Sequence, residues 1–461
     1  MPAIITKEFR LTNAKQFQED FGETNQHYYL ALGRPQAFAD NQAFNDGTDT
    51  SPPTPNDDVG SEFYVYDDLL AAQKIASTDV SLVVPRRDWT TGTVYDYYRH
   101  DYGNINSAGT TIAADSGATN LYDALFYVVN SSFDVYKVID NNGGAASTVE
   151  PSGNKSTSVF TTGDSYRWKY MYSLTASEQT NFLSSDFMHV STESSDFSTT
   201  AGAIEHVKIT AAGSGGTNGT YTGVNIRGDG SSGTATVVVS GNAVTSVTIT
   251  AAGSGYTYAS ILASDIGGTS GADIDFIISP PGGHAADVIA ELGGFFVMMN
   301  VDFATSESGE FNTSNDFRRI ALLRNPTDST TGSTATASTL DATKSMTFSG
   351  TPGSFQVDEK ITQASSGAVG FVVDFNSTTK VLRYIQPQFT NQGVDADGNL
   401  TAFSGTNTVT GATSSATGTP SSHDITPELT ADTGDILYIE NRKPISRASD
   451  QTENVKLIVE F

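Results

Sequence analysis

A nine-residue block that occurs twice is the feature that most constrains the fold of this chain. The block reads VKITAAGSG at residues 207–215 and VTITAAGSG at residues 247–255, forty residues later. Each copy is rich in β-branched residues and ends in glycines, which is typical of a strand followed by a turn. A period of forty also occurs in propellers and solenoids, but two copies are too few for such an array. The repeat therefore predicts a small β domain with internal two-fold symmetry.

The composition of the whole chain favours the same class of structure. The 461 residues include 43 glycines and 15 prolines, and long amphipathic runs are few. Such a chain favours short strands joined by many turns. Its length corresponds to about two to four domains. The predicted fold class is mainly β.

The charge balance excludes several classes of partner. The chain has 52 acidic and 25 basic residues, a formal net charge of −27, which argues against nucleic acid or an anionic membrane as a partner. It has no cysteine, so disulfides and thiolate metal sites are excluded. The longest apolar run, near residues 295–299, is too short to span a bilayer. Since no signal peptide is recognised, we expect synthesis in the cytoplasm.

Two helices are predicted in the N-terminal part of the chain. Asn13 is the expected N-cap of a helix that runs to Phe21. A second helix is expected over residues 62–74, with its leucines directed inward. It leads into a predicted strand at residues 80–84, which is apolar and β-branched.

Two later segments give clear strand patterns. Residues 166–174 alternate aromatic and polar side chains, which predicts one buried face and one face that is solvated or meets a partner. Residues 436–439 are apolar on both faces and predict a buried strand that stops at a polar turn before Pro444. The last residues, 455–461, alternate again and predict a final strand.

Abrupt changes of composition predict a discontinuous core with two insertions. A shift to Gly, Ser, Thr and Ala opens the repeat segment, and a second shift near residues 329–339 opens another segment with three or more strands, a small barrel or a sandwich. The predicted domains are a first core segment at 1–203, an inserted β domain with the internal repeat at 204–283, a second core segment at 284–337, a second inserted small β domain at 338–420 and C-terminal core strands at 421–461.

Short motifs do not indicate catalysis. Residues 228–233 match the dinucleotide fingerprint, but a β-branched strand follows them where phosphate binding needs a helix. Residues 395–400 resemble a calcium loop but have leucine where glycine is required, so an Asx-type turn is favoured. The six histidines are scattered, and the acidic pairs at 57–58 and 67–68 are expected to solvate a loop and cap a helix. We predict no cofactor, no metal and no enzymatic activity.

Four blocks carry a resemblance to a known family. They read VPRRDW at 84–89, GDSYRWKY at 163–170, DFRRI at 316–320 and IENRKPI at 439–445, the last followed by DQTE at 450–453. In this order they are similar to blocks of a baseplate wedge protein of contractile-tailed phages of the T-even type. The family member in question forms a dimer within each wedge. The two inserted segments have no counterpart in the shorter family pattern.

The resemblance implies both a fold and a role. It implies a homodimer built on a β-sandwich-rich α+β core, located in the tail baseplate of the virion and in contact with other baseplate wedge proteins. The implied role is structural: the subunit links its neighbours, takes part in baseplate assembly and accommodates the rearrangement during tail contraction. The alternative is a virion protein that binds or cleaves glycans through the inserted β domains, since exposed aromatics and paired carboxylates are common on virion surfaces.

Residues within these blocks are candidates for a subunit interface or an internal brace. Arg86 and Arg87, beside Asp88 and Trp89, can make a bidentate ion pair and a cation–π stack of fixed geometry. The same side chains could equally brace a strand end within one subunit, and the sequence leaves both alternatives open. The remaining candidates, from the other blocks, are Arg318, Arg319, Asn441, Arg442 and Pro444.

Overall fold

Strands dominate the fold in a computed structural model of the chain. They account for 44% of the residues and helices for 11%, which confirms the mainly β class. The structure describes residues 5–38, 47–106, 109–153, 155, 158–192, 200–304, 311, 315–387, 393–447 and 452–461.

The regular elements of the described residues are short. The helices are α1 (Lys7–Asp20), α2 (Val59–Val65), α3 (Ala176–Phe182) and α4 (Val288–Leu292). The first fourteen strands are β1 (Tyr28–Gly33), β2 (Leu69–Ile75), β3 (Val80–Pro85), β4 (Tyr127–Val129), β5 (Asp134–Asp140), β6 (Phe160–Thr161), β7 (Arg167–Ser173), β8 (Phe187–His189), β9 (Ile204–Ser214), β10 (Gly219–Asn225), β11 (Arg227–Gly228), β12 (Ser231–Ser240), β13 (Ala243–Ser254) and β14 (Ala259–Ser260). The others are β15 (Ser270–Ile278), β16 (Phe296–Ala304), β17 (Phe317–Arg324), β18 (Thr327–Asp328), β19 (Ser333–Thr334), β20 (Thr339–Asp341), β21 (Lys344–Ser349), β22 (Lys360–Gln363), β23 (Ala368–Asn376), β24 (Val381–Ile385), β25 (Val409–Gly411), β26 (Thr417–Asp424), β27 (Asp435–Ile445) and β28 (Thr452–Glu460).

The chain divides into two compact units. The first unit contains Met1–Gln16, Ser81–Met298 and Val459–Phe461. The second unit contains Phe17–Val80 and Met299–Ile458. The five-part division drawn from composition follows other boundaries, and it stays a prediction.

The N-terminal helix begins earlier than its sequence pattern predicts. Helix α1 starts at Lys7, so the expected N-cap Asn13 lies inside it, and that prediction is wrong. Thr6 takes the capping role, since its hydroxyl accepts the backbone N–H of Phe9 at 3.3 Å. The rings of Phe17 and Phe21, four residues apart, meet edge to face at 5.2 Å.

A four-stranded antiparallel sheet of order β4-β5-β7-β6 lies in the first unit. Strands β4 and β5 pair in the register Tyr127↔Lys137. On β7, Trp168 and Tyr172 are fully buried, and Lys169 is only 3% exposed. The prediction that the second face is solvated or meets a partner is therefore wrong for the centre of β7, because other charged groups of the same unit cover its polar side.

Those groups form a buried charged cluster, which we define as Lys137, Lys169, Glu205, His284 and Glu291. Lys137 on β5 is fully buried and pairs with Glu291 of α4. Glu291 also accepts the backbone N–H of Ala285 at 3.1 Å. A buried ammonium and carboxylate need such partners, since an unpaired charge in the interior is costly.

His284 is the histidine of the buried charged cluster. Its Nε2 lies 3.7 Å from Oε2 of Glu205, and its ring meets that of Tyr98 edge to face at 5.0 Å. Burial, together with the positive charges of Lys137 and Lys169, holds the pKa of His284 well below its usual value. The nearby Glu205 carboxylate would favour the charged form, but burial and two lysines outweigh it, so the folded imidazole is neutral.

The repeat segment forms three small sheets within the first unit, one of which pairs only β11 with β14. Strands β9 and β15 pair along their length, from Ile204↔Ile278 at one end to Ser270↔Ser214 at the other. The second sheet has the order β10-β12-β13, and the two sheets share apolar clusters that include Val207 and Val247. The chain enters and leaves the segment side by side, since the N–H of Ser279 donates to the carbonyl of Ala203 at 2.9 Å.

The two copies of the repeated block occupy corresponding strands, β9 and β13. In each copy the first glycine has a positive φ, +68° at Gly213 and +61° at Gly253. A Cβ on Gly213 would lie 2.6 Å from the nitrogen of Ala272, and a Cβ on Gly253 would lie 2.5 Å from the oxygen of Ser231. Both positions therefore require glycine, since a neighbouring strand passes too closely for any side chain.

A five-stranded antiparallel sheet forms the centre of the second unit. Its order is β20-β2-β1-β17-β27, and the fully buried β1 lies at its centre. The predicted helix over residues 62–74 is wrong: α2 ends at Val65, and Leu69–Ile75 is strand β2. Pairing with β1 on one side and β20 on the other decides the outcome, because a short apolar run can form either a helix or a strand.

The second predicted insertion contains a closed six-stranded barrel. Its strand order is β21-β24-β23-β22-β25-β26, and its interior is filled by apolar side chains that include Phe348, Ile361 and Leu382. The chain enters and leaves this segment at neighbouring points, since the N–H of Leu429 donates to the carbonyl of Asp341 at 2.9 Å. Closure pairs every strand of the barrel and leaves it without a free sheet edge.

Candidate assembly surface

Strand β27 is the exposed edge of the five-stranded sheet. It pairs with β17 on one side, and among the described residues the sheet ends there. Leu437 is 42% exposed and Tyr438 is 39% exposed, whereas Ile436 and Ile439 pack against the apolar cluster beneath. The prediction that residues 436–439 are buried on both faces is therefore wrong.

Strand β27 also continues through the expected polar turn. Residues 440–445 remain extended, and Pro444 lies inside the strand. Proline lacks a backbone N–H and is tolerated in a sheet only at an edge, where no neighbour needs that donor. A groove of about 520 Å³ is lined by this half of the strand and by Pro52. Arg442 is exposed there and pairs with Glu440 at 3.2 Å.

Asn441 and Arg319, in contrast, point into the second unit. The side-chain oxygen of Asn441 accepts Nε–H of Arg319 at 3.0 Å, and its amide donates to the carbonyl of Pro53 at 3.0 Å. Arg319 also donates to Asp68 at 2.8 Å, and Arg34 lies 3.7 Å from the same carboxylate. Asp68 is only 1% exposed. The expectation that this residue solvates a loop or caps a helix is wrong, because it pairs with the buried Arg34 and the half-buried Arg319.

Arg318 makes a separate brace. Its guanidinium donates two hydrogen bonds to the carboxylate of Asp49, at 2.9 and 3.0 Å. A further donor reaches the carbonyl of Pro35, and Arg318 is only 6% exposed. Bidentate geometry of this kind fixes both partners. The side chain therefore ties β17 to the loop that carries Asp49.

Arg86 and Arg87 contact their own subunit at the end of β3. Arg86 donates to Asp88 at 2.9 Å and to the carbonyl of Ser184 at 3.0 Å. Arg87 donates to the carbonyl of Tyr122 at 2.8 Å and lies 4.5 Å from the ring centre of Tyr127.

Trp89 joins the same block to a neighbouring loop. Its indole N–H donates to the hydroxyl of Ser147 at 3.1 Å. The cation–π contact of Arg87 is made with Tyr127, a residue that the sequence block does not contain. These contacts favour the brace alternative for Arg86, Arg87, Asp88 and Trp89, and that alternative stays a prediction.

The remaining motifs behave as ordinary turns and strands. After Gly228 the chain turns and enters strand β12, so the helix needed for a dinucleotide site is missing at this point. The carboxylate of Asp395 accepts the N–H groups of Asp397 and Asn399, each at 2.9 Å, which confirms an Asx-type turn. Within the described part of the chain, no group of three or more acidic or histidine side chains could hold a metal ion, and no helix is long and apolar enough to cross a membrane.

The sequence alone could not identify ion-pair partners that lie far apart along the chain. Asp68 lies 251 residues before Arg319, and Asp49 lies 269 residues before Arg318. No local pattern of the sequence identifies these two carboxylates as the partners of the arginines. Of the DQTE block, residues 450 and 451 lie outside the described residues, and Glu453 pairs with Arg447 at 2.8 Å.

The many sheets and the exposed edge strand β27 place the chain in the class of β-rich proteins. Residues 3–148 match the model of the family described as Phage-Gp8, Bacteriophage T4 Gp8. The match confirms the resemblance to a T4-type baseplate wedge protein, and this family supports a structural role in the phage baseplate wedge. The VPRRDW block lies inside the matched segment and the other three blocks lie outside it. No curated protein matches the chain.

Proposed function

We propose that this chain forms a homodimer in the baseplate wedge, links neighbouring wedge proteins, and takes part in baseplate assembly and in its rearrangement during tail contraction. Its place is the virion tail baseplate, after synthesis in the host cytoplasm. It acts through contacts and carries out no turnover. The wedge family of residues 3–148 supports this role.

The edge of β27, which has no further strand beside it among the described residues, supports a dimer contact at this strand. An edge strand presents unpaired N–H and C=O groups that can pair with another chain. This edge is eleven residues long and has apolar side chains in solvent, Leu437 and Tyr438. A second strand added there would cover both the polar backbone and the exposed apolar surface.

The sequence of β27 is complementary to itself when two copies run antiparallel. With Ile439 on the two-fold axis, Asp435 of one copy lies opposite Lys443 of the other. In a parallel arrangement each charged residue would instead face its own kind, which is unfavourable. A two-fold axis also requires that the same patch be used by both subunits, as this strand allows.

Light scattering at micromolar concentration tests the dimer and its location. The purified chain is expected to have twice the monomer mass of 48.7 kDa. Leu437→Lys should give a monomer, because a lysine on an edge strand opposes pairing. Ile105→Lys is the matched control: Ile105 is 71% exposed in the first unit, so this variant should remain a dimer.

Two results would contradict parts of this proposal. A monomer mass for the unmodified chain would exclude the homodimer. A dimer that persists in Leu437→Lys would exclude β27 as its interface. The wedge role itself is tested separately by fitting the chain into a low-resolution map of the virion tail, where density in the wedge is expected.

A further inference from the structure

Lys137 and Glu291 of the buried charged cluster form an ion pair with almost no access to water. The side chain of Lys137 is fully buried, and that of Glu291 is only 4% exposed. Nζ of Lys137 donates to Oε2 of Glu291 and lies 4.8 Å from the ring centre of Tyr98. A pair of charges in such a place is costly, because burial removes the water that would solvate both groups. The surroundings therefore favour the neutral form of the pair, an amine beside a carboxylic acid.

Two backbone N–H groups hold the carboxyl group of Glu291 in place. The N–H of Ala285 donates to Oε2 at 3.1 Å, and the N–H of Asp287 donates to Oε1 at 3.4 Å. Ala285 is buried and has a φ of +70°, a backbone conformation that is strained for a residue other than glycine. Backbone strain of this kind is concentrated at functional sites. Here the strained residue is the one whose N–H contacts the carboxyl oxygen.

This arrangement contains the groups that acyl transfer to an amine requires. Lys137 supplies the nucleophile, because burial lowers the pKa of its ammonium group, and the charges of Glu291 and Glu205 only oppose that shift. Cδ of Glu291 is the electrophile, since it carries the oxygen that Nζ contacts. The two backbone N–H groups can stabilise the negative charge that develops on the carboxyl oxygens when the amine adds to this carbon.

We propose that Lys137 and Glu291 condense to form an isopeptide bond between Nζ and Cδ. Nζ first transfers one proton to Oε2, and the neutral amine then adds to Cδ, while charge develops on Oε1 beside the N–H of Asp287. A second proton passes from the nitrogen to Oε2, the Cδ–Oε2 bond breaks, and one water molecule leaves. The third hydrogen stays on the amide nitrogen. The step needs no oxidant, reductant or further reactant, and it occurs once in each molecule.

The isopeptide bond joins strand β5 to helix α4, between residues 154 positions apart, and closes a covalent loop around the repeat segment. It replaces two buried charges by one neutral amide, which is less costly to bury. Amide formation removes the charge of Lys137, but burial together with Lys169 still lowers the pKa of His284. The inference goes beyond the wedge role and does not depend on it.

Mass spectrometry of the full chain under denaturing conditions tests the bond. The intact mass is expected to be lower than the mass calculated from the sequence by that of one water molecule. A tryptic digest should contain a branched peptide that joins Lys137 to Glu291, because trypsin does not cleave after a lysine whose amine is acylated. The pair of Lys155 and Asp134, at 2.7 Å, is the internal control. It should remain unlinked, because Lys155 is 53% exposed and water solvates its charge.

Lys137→Arg separates the bond from the ion pair. A guanidinium group can keep the charge pair with Glu291, but it stays protonated and does not attack the carboxyl carbon. This variant should therefore have its full calculated mass. Lys155→Arg is the matched control and should still lack one water molecule. The proposal is overturned if the unmodified chain has its full calculated mass, if trypsin cleaves it after Lys137, or if Lys137→Arg also loses the water.

Discussion

Acidification is expected to weaken the first unit through His284. Burial and the charges of Lys137 and Lys169 hold the pKa of this imidazole well below 6.5, so it stays neutral in the folded protein. In the unfolded chain the same histidine titrates near its ordinary value of about 6.5. Below that value the unfolded state binds more protons than the folded state, and the free energy of unfolding therefore falls as the pH falls.

The size of this effect follows from the unfolded pKa. Each pH unit below the pKa of the unfolded chain lowers the free energy of unfolding by about 1.4 kcal/mol for one histidine that remains neutral when folded. Between pH 7 and pH 5, His284 should therefore remove about 2 kcal/mol of stability. The variant His284→Gln has no group to protonate, so its stability should depend less steeply on pH by about that amount.

Tryptophan fluorescence during urea unfolding can measure this effect in one unit alone. The two tryptophans, Trp89 and Trp168, both lie in the first unit. Burial also lowers the pKa of His100 and His189, and both remain in the variant, so only the difference between the proteins is attributed to His284. His423→Gln, in the second unit, is the control and should change nothing in this signal. Equal pH dependence of His284→Gln and the unmodified chain would refute the reasoning.

Two further outcomes follow from the braces and the inserted segments. Arg86→Ala should lower the stability of the first unit by about 1–3 kcal/mol in the same fluorescence assay, because the carbonyl of Ser184 loses a charged donor; unchanged stability with impaired wedge binding would favour an interface instead. Replacing residues 215–269 with a short Gly/Ser linker should leave a soluble protein with its remaining strands intact by circular dichroism, because the paired root of β9 and β15 is kept. Aggregation of that variant would show that the outer strands complete the core.

The mainly β class was predictable because it follows from local pattern. The repeated block alternates with period two and ends in glycines that only a close turn or strand contact requires, and both copies form strands, β9 and β13. The predicted element type was wrong where the local pattern was ambiguous. Residues 69–75 have apolar residues that suit a helix, and only pairing with β1 and β20 makes them a strand.

The surface of β27 shows the limit of sequence reasoning most directly. Residues 436–439 are apolar enough for a buried strand, and a proline follows at residue 444. Whether such a strand is central or at an edge depends on what lies beside it, and that is a property of the whole sheet. The braces show the same limit, because Arg318 and Arg319 find their carboxylates in distant parts of the chain.

The adjacent ends of the repeat segment have a mechanical consequence. Tension along the backbone reaches Ala203 and can pass to Ser279 across their 2.9 Å hydrogen bond and the neighbouring pair Ile204↔Ile278. The outer strands β10 to β13 then carry none of this tension. Because the two ends leave the pair in the same direction, a load large enough to separate them would open the bonds of β9 and β15 one after another. While the hydrogen bond between Ser279 and Ala203 holds, tension on the core therefore does not stretch the repeat segment.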